Sequence, residues 1–243
     1  MKSGYSMPGV APLYDAPPYI YQGNRSINVL FKTTPETLQA LVPAPLVPNP
    51  DSVLFIYFAQ FNVVVPKQYR YLEMGIGVPA SFTDHAGQYA VYLYLDKTGA
   101  IVPGREIYGW PKKDAEISFT EEQNGIAAQV VRDNVVLAEA TLHHLEKVDP
   151  IPQQPSTPWF NLKLIPSVKK NAPPDVMQLT STLIESEMQE MYTGSATLKL
   201  GSSGSDPLGD IPILAVLEGR FTVDDVTLGY GDVIYDYLAE MDK

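Results

Sequence analysis

Cysteine is absent from the 243-residue chain. Disulfide bonds, thiolate metal sites, iron–sulfur clusters and cysteine nucleophiles are therefore excluded. Histidine is almost as scarce, with three residues, so a metal centre built from several histidines is not expected. Basic residues are also few, because 17 Lys and Arg stand against 28 Asp and Glu, which gives a formal net charge of −11. This charge disfavours broad binding to nucleic acid or to an anionic membrane surface.

Long hydrophobic runs are missing as well. The most apolar segment, Val53–Val65, is interrupted by Gln60 and Asn62 and is shorter than the roughly 20 residues that a membrane-spanning helix needs. We predict a buried strand over these residues. Residues 1–19 contain several prolines and no apolar stretch of the length found in signal peptides. We therefore expect a protein without a membrane span that is located in the cytoplasm.

Proline, by contrast, is abundant, with 22 residues spread along the chain. Because each proline lacks a backbone donor and disfavours helix interiors, we predict strands and loops instead of long helices. One short early helix is indicated, since Thr34 can cap it, Pro35 suits its first position, and Leu38 and Val42 lie on one apolar face. A second short helix is predicted at residues 233–241.

Several segments show the alternation that is typical of β-strands. Residues 87–95 are apolar or aromatic on both faces, which predicts a central strand. Residues 115–142 indicate an antiparallel meander whose first turn is Asn124-Gly125, a strong hairpin signal. Residues 176–192 have mixed propensities, and we favour a strand there. The Gly- and Ser-rich residues 198–212 predict a flexible loop between two strands.

These segments predict one α+β domain over residues 1–243 that is predominantly antiparallel β. Two signals for a cofactor in it are weak. Gly75 and Gly77 form a G-x-G pattern, but Pro79 and a β-prone segment follow in place of the helix that would receive a phosphate. His143 and His144 are neighbours on a predicted strand, so their side chains should point to opposite faces and not converge on a metal. We expect neither a nucleotide nor a metal cofactor.

Residues 104–113, with the sequence GREIYGWPKK, carry the strongest chemical signal. Two adjacent lysines, Lys112 and Lys113, follow Trp110 and Pro111. An exposed lysine is protonated at pH 7, whereas burial against aromatic side chains or a second nearby cation favours the neutral, nucleophilic amine. On composition alone, two lysines at a solvent-exposed strand end are the more common arrangement, since lysine is seldom buried unless it is paired.

The motif resembles the signature of the acetoacetate decarboxylase family, which is GRE, four residues and PKK. Here it consists of Gly104-Arg105-Glu106 and Pro111-Lys112-Lys113. Further similarities extend the resemblance over nearly the whole chain, at Asn24-Arg25, Tyr71-Leu72-Glu73, and residues 192–194, 207–212 and 233–238. The fold that this resemblance implies is a β-barrel or double-sheet core with a few short helices.

The resemblance also implies roles for particular residues. Lys112 would form a Schiff base with a ketone, and Lys113 would be an auxiliary cation, an activation described for acetoacetate decarboxylase itself. Glu73 and Arg25 would belong to the active site, with Arg25 suited to the substrate carboxylate, although a surface salt bridge is the simpler role for an arginine. The implied reaction is cofactor-independent decarboxylation of acetoacetate or a related β-keto acid by a homo-oligomer.

One position departs from the family pattern. Where its decarboxylases carry a second active-site Glu, the aligned residue is Ile56, and we expect Ile56 to add apolar wall to a substrate pocket that includes Tyr71 and Trp110. The lost carboxylate bears on substrate identity and not on the lysine chemistry. Family relatives with the same lysine catalyse aldol condensation and dehydration of pyruvate with an aldehyde, which is the alternative activity. A non-catalytic binder of keto acids is a third interpretation.

Overall fold

The computed structural model describes residues 5–122, 125–152 and 156–241, and these residues form thirteen β-strands and three short α-helices. The strands are β1 (Tyr19–Lys32), β2 (Val47–Pro48), β3 (Val53–Val65), β4 (Tyr69–Phe82), β5 (His85–Leu95), β6 (Lys112–Asp114), β7 (Glu116–Glu122), β8 (Gly125–Arg132), β9 (Val135–Lys147), β10 (Pro158–Ile165), β11 (Val176–Leu200), β12 (Ala215–Leu228) and β13 (Asp232–Asp236). The helices are α1 (Pro35–Leu41), α2 (Thr98–Pro103) and α3 (Tyr237–Met241). A π-helical turn (Gly104–Tyr108) continues α2, and a 3-10 turn (Leu208–Asp210) precedes β12.

Seven of the strands close into a barrel. Their hydrogen-bonded order is β10, β5, β4, β3, β1, β12 and β11, and β11 also pairs with β10, which completes the ring. All neighbours in this ring are antiparallel except β10 and β5, which are parallel. The long strand β11 then leaves the barrel and continues into a second sheet with β9, β8 and β7. The predicted fold, a predominantly antiparallel β-barrel or double-sheet core with a few short helices, is confirmed.

Two hydrophobic clusters cover the two faces of the barrel wall, as the alternation of strand side chains requires. The inner cluster lies on the face of the wall that is turned away from the second sheet, inside the barrel. Its buried members are Tyr19, Tyr21, Val63, Tyr71, Ala90, Leu93, Leu95, Ala100, Tyr108 and Trp110. The outer cluster lies between the wall and the second sheet, because it joins barrel residues such as Ile56 and Tyr94 to Leu38 of α1 and Leu142 of β9.

The local predictions are confirmed in most segments. Helix α1 begins where Thr34 Oγ1 accepts a hydrogen bond from the Thr37 N–H, at 3.2 Å. Strand β3 has the predicted bounds, β5 contains the predicted central strand, and the ambiguous residues 176–192 lie in β11. Strands β7, β8 and β9 form the predicted meander, while Asn124 of the predicted turn lies outside the described residues.

The predicted terminal helix is wrong over its first half. Residues 232–236 form β13 and pair with β11, so that the helix begins at Tyr237. The Asp236 carboxylate ends the strand and starts the helix, because its Oδ1 accepts hydrogen bonds from the N–H groups of Leu238 and Ala239. Within the described part of the chain, the helices are all too short or too polar to cross a membrane.

Candidate active site

Strand β6 places the two lysines of the motif on opposite faces of the barrel wall. It pairs in parallel with β5, so that Lys112 lies beside Leu93 and Lys113 beside Tyr94. Leu93 belongs to the inner cluster and Tyr94 to the outer one. Because neighbouring strand side chains point in opposite directions, the Lys112 amine enters the barrel and the Lys113 amine leaves it.

The Lys112 amine is held in an ion pair inside the barrel. Its Nζ lies 3.1 Å from Glu73 Oε2 and 5.7 Å from the centre of the Tyr71 ring. The side chains of Lys112 and Glu73 are only 10% and 6% exposed. The approach of Nζ to Oε2 lacks the alignment of a hydrogen bond, and Oε2 has no hydrogen-bond partner among the described residues. The structure therefore brings three predicted site residues together around one buried amine.

A tyrosine that the sequence analysis did not single out orients Glu73. The Tyr57 hydroxyl donates a hydrogen bond of 2.6 Å to Glu73 Oε1, which leaves Oε2 turned to the lysine. Burial, reinforced by the negative charge of Glu73, raises the pKa of Tyr57 well above its usual value, so the phenol remains a proton donor. Burial likewise raises the pKa of Tyr71. Ile56 and Tyr57 are neighbours on β3 and face opposite sides of the barrel wall. Tyr57 therefore reaches Glu73, whereas Ile56 does not.

The GRE residues build the support on which Lys112 rests. A Cβ atom on Gly104 would lie 2.6 Å from Lys112 Cδ, so the lysine stem passes through space that a larger residue would fill. Arg105 Nη1 donates a hydrogen bond of 3.0 Å to the Lys112 carbonyl, and the Gly104 carbonyl accepts one from the Trp110 N–H. Gly109, with φ of +80°, ends the π-helical turn and redirects the chain toward β6.

The cavity beside Lys112 is small and mostly aromatic. Its volume of about 20 Å³ is room for one water-sized molecule. Trp110, another predicted site residue, lines it and packs against Trp159 at 5.4 Å between ring centres. Tyr19, Tyr21, Tyr69, Tyr71 and Tyr108 supply much of the remaining wall. The β-keto acid that the resemblance implies is larger than this space, so these walls would have to move to admit it.

Lys113 lies in a separate charged network on the outer face. Its Nζ is 2.6 Å from Oδ1 of Asp206, a fully buried residue that also accepts hydrogen bonds of 2.8 Å from Tyr94 and Arg132. Although burial opposes its charge, these donors hold the pKa of Asp206 well below the usual range. Lys113 thus differs from the expected auxiliary cation beside Lys112, because strand alternation separates the two amines.

Asp206 itself was missed by the sequence analysis. It stands in the segment predicted as a flexible loop, of which residues 198–200 belong to β11 and the remainder is anchored by the buried carboxylate. The composition of that segment gave no sign of this, because a single Asp among Gly, Ser and Pro is typical of an exposed turn. Its donors from distant segments, Tyr94, Lys113 and Arg132, lie 74 to 112 positions away along the chain, and the neighbouring Ser203 and Ser205 hydroxyls add longer hydrogen bonds.

The structure does not bring Arg25 to Lys112. Arg25 is partly exposed, forms a salt bridge with Glu121 of β7, and lies 5.3 Å from the ring centre of Phe221 in the outer cluster. Within one chain, Arg25 is therefore not positioned to bind the carboxylate of a substrate at Lys112. This arrangement corresponds to the alternative of a partly exposed salt bridge.

Ile56 does not form a wall of the Lys112 cavity either. It is fully buried in the outer cluster, and the next residue, Tyr57, faces the barrel interior. The expectation that Ile56 lines the pocket is wrong, because neighbouring residues of a strand face opposite sides and the inward-facing residue is one position further along.

Comparison with known proteins gives a consistent result. Residues 6–238 match the family model described as acetoacetate decarboxylase (ADC). The acetoacetate decarboxylases of Burkholderia vietnamiensis and Ralstonia nicotianae are 31% and 32% identical to the chain, covering 97% and 98% of it and 96% and 97% of their own lengths.

Solved structures show the same fold. An acetoacetate decarboxylase structure has a TM-score of 0.87 at 25% identity, with 96% of both chains covered. The acetoacetate decarboxylase of Legionella pneumophila has a TM-score of 0.84 at 27% identity, covering 98% of this chain and 96% of its own. The biosynthetic enzyme MppR, solved with a condensation product of pyruvate and imidazole 4-carboxaldehyde, shares the fold with a TM-score of 0.85 at 19% identity and 98% coverage of both chains.

Proposed function

The chain belongs to the acetoacetate decarboxylase family and is a carboxy-lyase, and we propose that it decarboxylates acetoacetate or a related β-keto acid through a Schiff base on Lys112. The observation that carries this proposal is the buried Lys112–Glu73 pair, 3.1 Å apart within an aromatic barrel interior. A lysine amine shielded from water by aromatic side chains is suited to attack on a ketone carbonyl.

The reaction uses the Lys112 nitrogen as an electron sink. The neutral amine adds to the ketone carbon, and loss of water leaves a protonated imine. The bond between the α-carbon and the carboxylate then breaks and CO2 departs. The electron pair of that bond forms a carbon–carbon double bond, the electron pair of the C=N double bond moves to nitrogen, and the product is an enamine. Protonation of the enamine carbon and hydrolysis by water release the ketone and restore the lysine. No metal or organic cofactor is required.

In the proposed mechanism, Glu73 accepts and returns the proton of the lysine. Its Oε2 faces Nζ and is free of other hydrogen bonds among the described residues, so it can take a proton from the ammonium before attack and return one later. Tyr57 fixes this geometry by holding Oε1. In our proposal Glu73 is the proton carrier and Tyr57 the residue that positions it.

The aromatic walls favour decarboxylation once the imine has formed. A carboxylate loses its hydration when it enters the barrel, whereas neutral CO2 loses little, so a dry interior raises the ground state more than the transition state. Tyr71 and Trp110 border the amine and would contact the acyl part of the substrate. We propose no role for Arg25 at the amine, because its salt bridge lies on the other face of the wall.

Chemical trapping tests the proposal. Incubation with acetoacetate followed by borohydride should add the reduced adduct mass to Lys112, and the Lys163→Met variant, which lacks a different partly buried lysine, should be labelled equally. A panel that records CO2 release from β-keto acids beside condensation of pyruvate with aldehydes then identifies the reaction. Condensation products without any CO2 would replace the proposal with the aldolase-dehydratase activity. Failure to trap an imine with either substrate would favour a non-catalytic keto-acid binder.

We also infer that the enzyme acts as a homo-oligomer in the cytoplasm, as the family resemblance implies. Several large apolar side chains are exposed, among them Val47, Leu214 and Leu217, and an association between copies could cover them. Light scattering on the purified chain would measure the assembly, and a mass equal to that of one chain would contradict it.

A further inference from the structure

A second, larger cavity lies against the same π-helical turn that supports Lys112. Its volume is about 300 Å³, at the lower end of the range found for small-molecule pockets. Glu106 and Ile107 of the turn line this cavity, whereas Gly104 lines the Lys112 cavity, and Tyr108 contributes to both. The two cavities are therefore neighbours that share one aromatic wall.

Two polar side chains in this second cavity have unmet bonding capacity. Lys163 is partly buried, and its ammonium donates a hydrogen bond of 3.1 Å to the Ile107 carbonyl. Among the described residues, no carboxylate lies within 4.0 Å of it. Thr182 is fully buried, and its Oγ1 has no hydrogen-bond partner in the described part of the chain. The negative charge of Glu106 attracts the Lys163 ammonium from beyond ion-pair distance. A partly buried cation without a carboxylate in direct contact and a buried hydroxyl without a partner are both costly, so a ligand that bonds to both would be stabilised.

The remaining walls define the ligand further. The rings of Tyr5, Tyr14 and Tyr230 provide apolar surface. Two carboxylates also line the cavity, Glu106, whose Oε2 accepts a hydrogen bond from the Tyr14 hydroxyl, and Asp232. Their negative charges would repel an anion that carries two charges. They also limit the affinity for an anion with one.

We propose that this cavity is a second binding site, separate from the Lys112 site, for a small organic monocarboxylate. The ligand carboxylate would accept hydrogen bonds from Lys163 Nζ and Thr182 Oγ1, which supply one charged and one neutral donor. Its apolar tail would lie against the tyrosine rings. This assignment does not depend on the reaction at Lys112, because neither donor contacts the lysine or Glu73.

Binding of butyrate tests the site, because butyrate has no ketone and cannot form an imine. Calorimetric titration of the full chain should give saturable binding of butyrate, with inorganic phosphate and the neutral analogue butyramide binding much more weakly. Lys163→Met should weaken butyrate binding by at least about tenfold, as expected for loss of a charged hydrogen bond. Thr182→Val, which preserves shape, should weaken it by about threefold.

Two controls locate the bound butyrate. Lys169→Met removes an exposed lysine and should leave the affinity unchanged, and Lys112→Met should also leave it unchanged. Affinity that is lost in Lys112→Met and retained in Lys163→Met would place butyrate in the Lys112 cavity and overturn the proposal. Absence of saturable binding up to about 50 mM would overturn it as well. If Lys163→Met fails to fold, Thr182→Val alone decides, and an unchanged affinity in that variant refutes the site.

Discussion

Replacement of Lys113 by methionine separates two explanations of how Lys112 would become reactive in the proposed mechanism. If Lys113 acted as a nearby cation, its removal would shift the pH–rate profile by several units. In the structure, however, the Lys113 ammonium lies on the outer face of β6 and is paired with Asp206 at 2.6 Å. An ion pair presents a dipole and not a net positive charge to the barrel interior, so its loss should change the field at Lys112 only slightly.

The cost of Lys113→Met should instead appear in the free energy of unfolding. Breaking a fully buried ion pair costs about 3 to 5 kcal/mol, but the Lys113 side chain is 36% exposed. Asp206 also keeps its hydrogen bonds from Tyr94 and Arg132. We therefore expect a loss of about 1 to 2 kcal/mol, close to that of one hydrogen bond to a charged group.

Two assays on Lys113→Met check this reasoning. Urea denaturation should show the reduced free energy of unfolding, and the profile of kcat/KM against pH should move by less than about one unit, which corresponds to roughly 1.4 kcal/mol. Lys199→Met, which removes an exposed lysine paired with Glu139, is the matched control and should lose less stability. If the pH profile moved by more than two units while the free energy of unfolding stayed unchanged, the pairing of Lys113 with Asp206 would not explain the data. Lys113 would then be the auxiliary cation of Lys112.

Three further predictions follow from the site. Gly104→Ala should lower kcat by at least about tenfold and slow borohydride trapping, because its methyl group would meet Lys112 Cδ at 2.6 Å, while circular dichroism stays unchanged. Asp206→Asn should destabilise the protein most at neutral pH. Because the folded-state pKa of Asp206 is depressed, its contribution is present above about pH 4 and is lost as pH falls, so urea midpoints of variant and wild type should converge in acid. Arg25→Gln should reduce kcat/KM less than tenfold, since Arg25 pairs with Glu121.

Each of these has a result that would contradict it. Full activity of Gly104→Ala would show that the lysine stem does not need the space beside residue 104. A constant stability difference between pH 7 and pH 3 would mean that Asp206 is not charged in the fold. A loss of 100-fold or more in Arg25→Gln would place that arginine at the substrate carboxylate, in an arrangement different from the one described.

Signals carried by neighbouring residues were readable from the sequence. The Thr34-Pro35 start of α1, the bounds of β3 and the meander of β7 to β9 depend on local propensity and alternation, and they are present as predicted. The proposal of Lys112 as the site lysine comes from the GRE and PKK residues, because their spacing resembles the family signature and can be recognised without any tertiary contact. The closure of the barrel was implied in the same way.

Features that depend on long-range pairing were not readable. The parallel pairing of β10 with β5 joins Trp159 to Gln88, and nothing in either segment indicates that partner. The Asp206 network likewise joins separate strands and a loop. The position of Ile56 shows a further limit, because an alignment uncertain by one residue cannot tell the barrel interior from the outer cluster.

The pairing of β1 with β12 has a consequence for how the enzyme is made. Tyr19 lies opposite Leu228, so the wall around Lys112 includes strands from the beginning and the end of the fold. A ribosome completes the GRE and PKK residues long before it reaches β12, and contacts so distant in sequence form late and slowly. The nascent chain should thus carry a water-exposed, unreactive lysine until β12 has emerged. Chains truncated before β12 should accordingly yield no borohydride-trapped adduct, and formation of one would show that the open barrel already shields the amine.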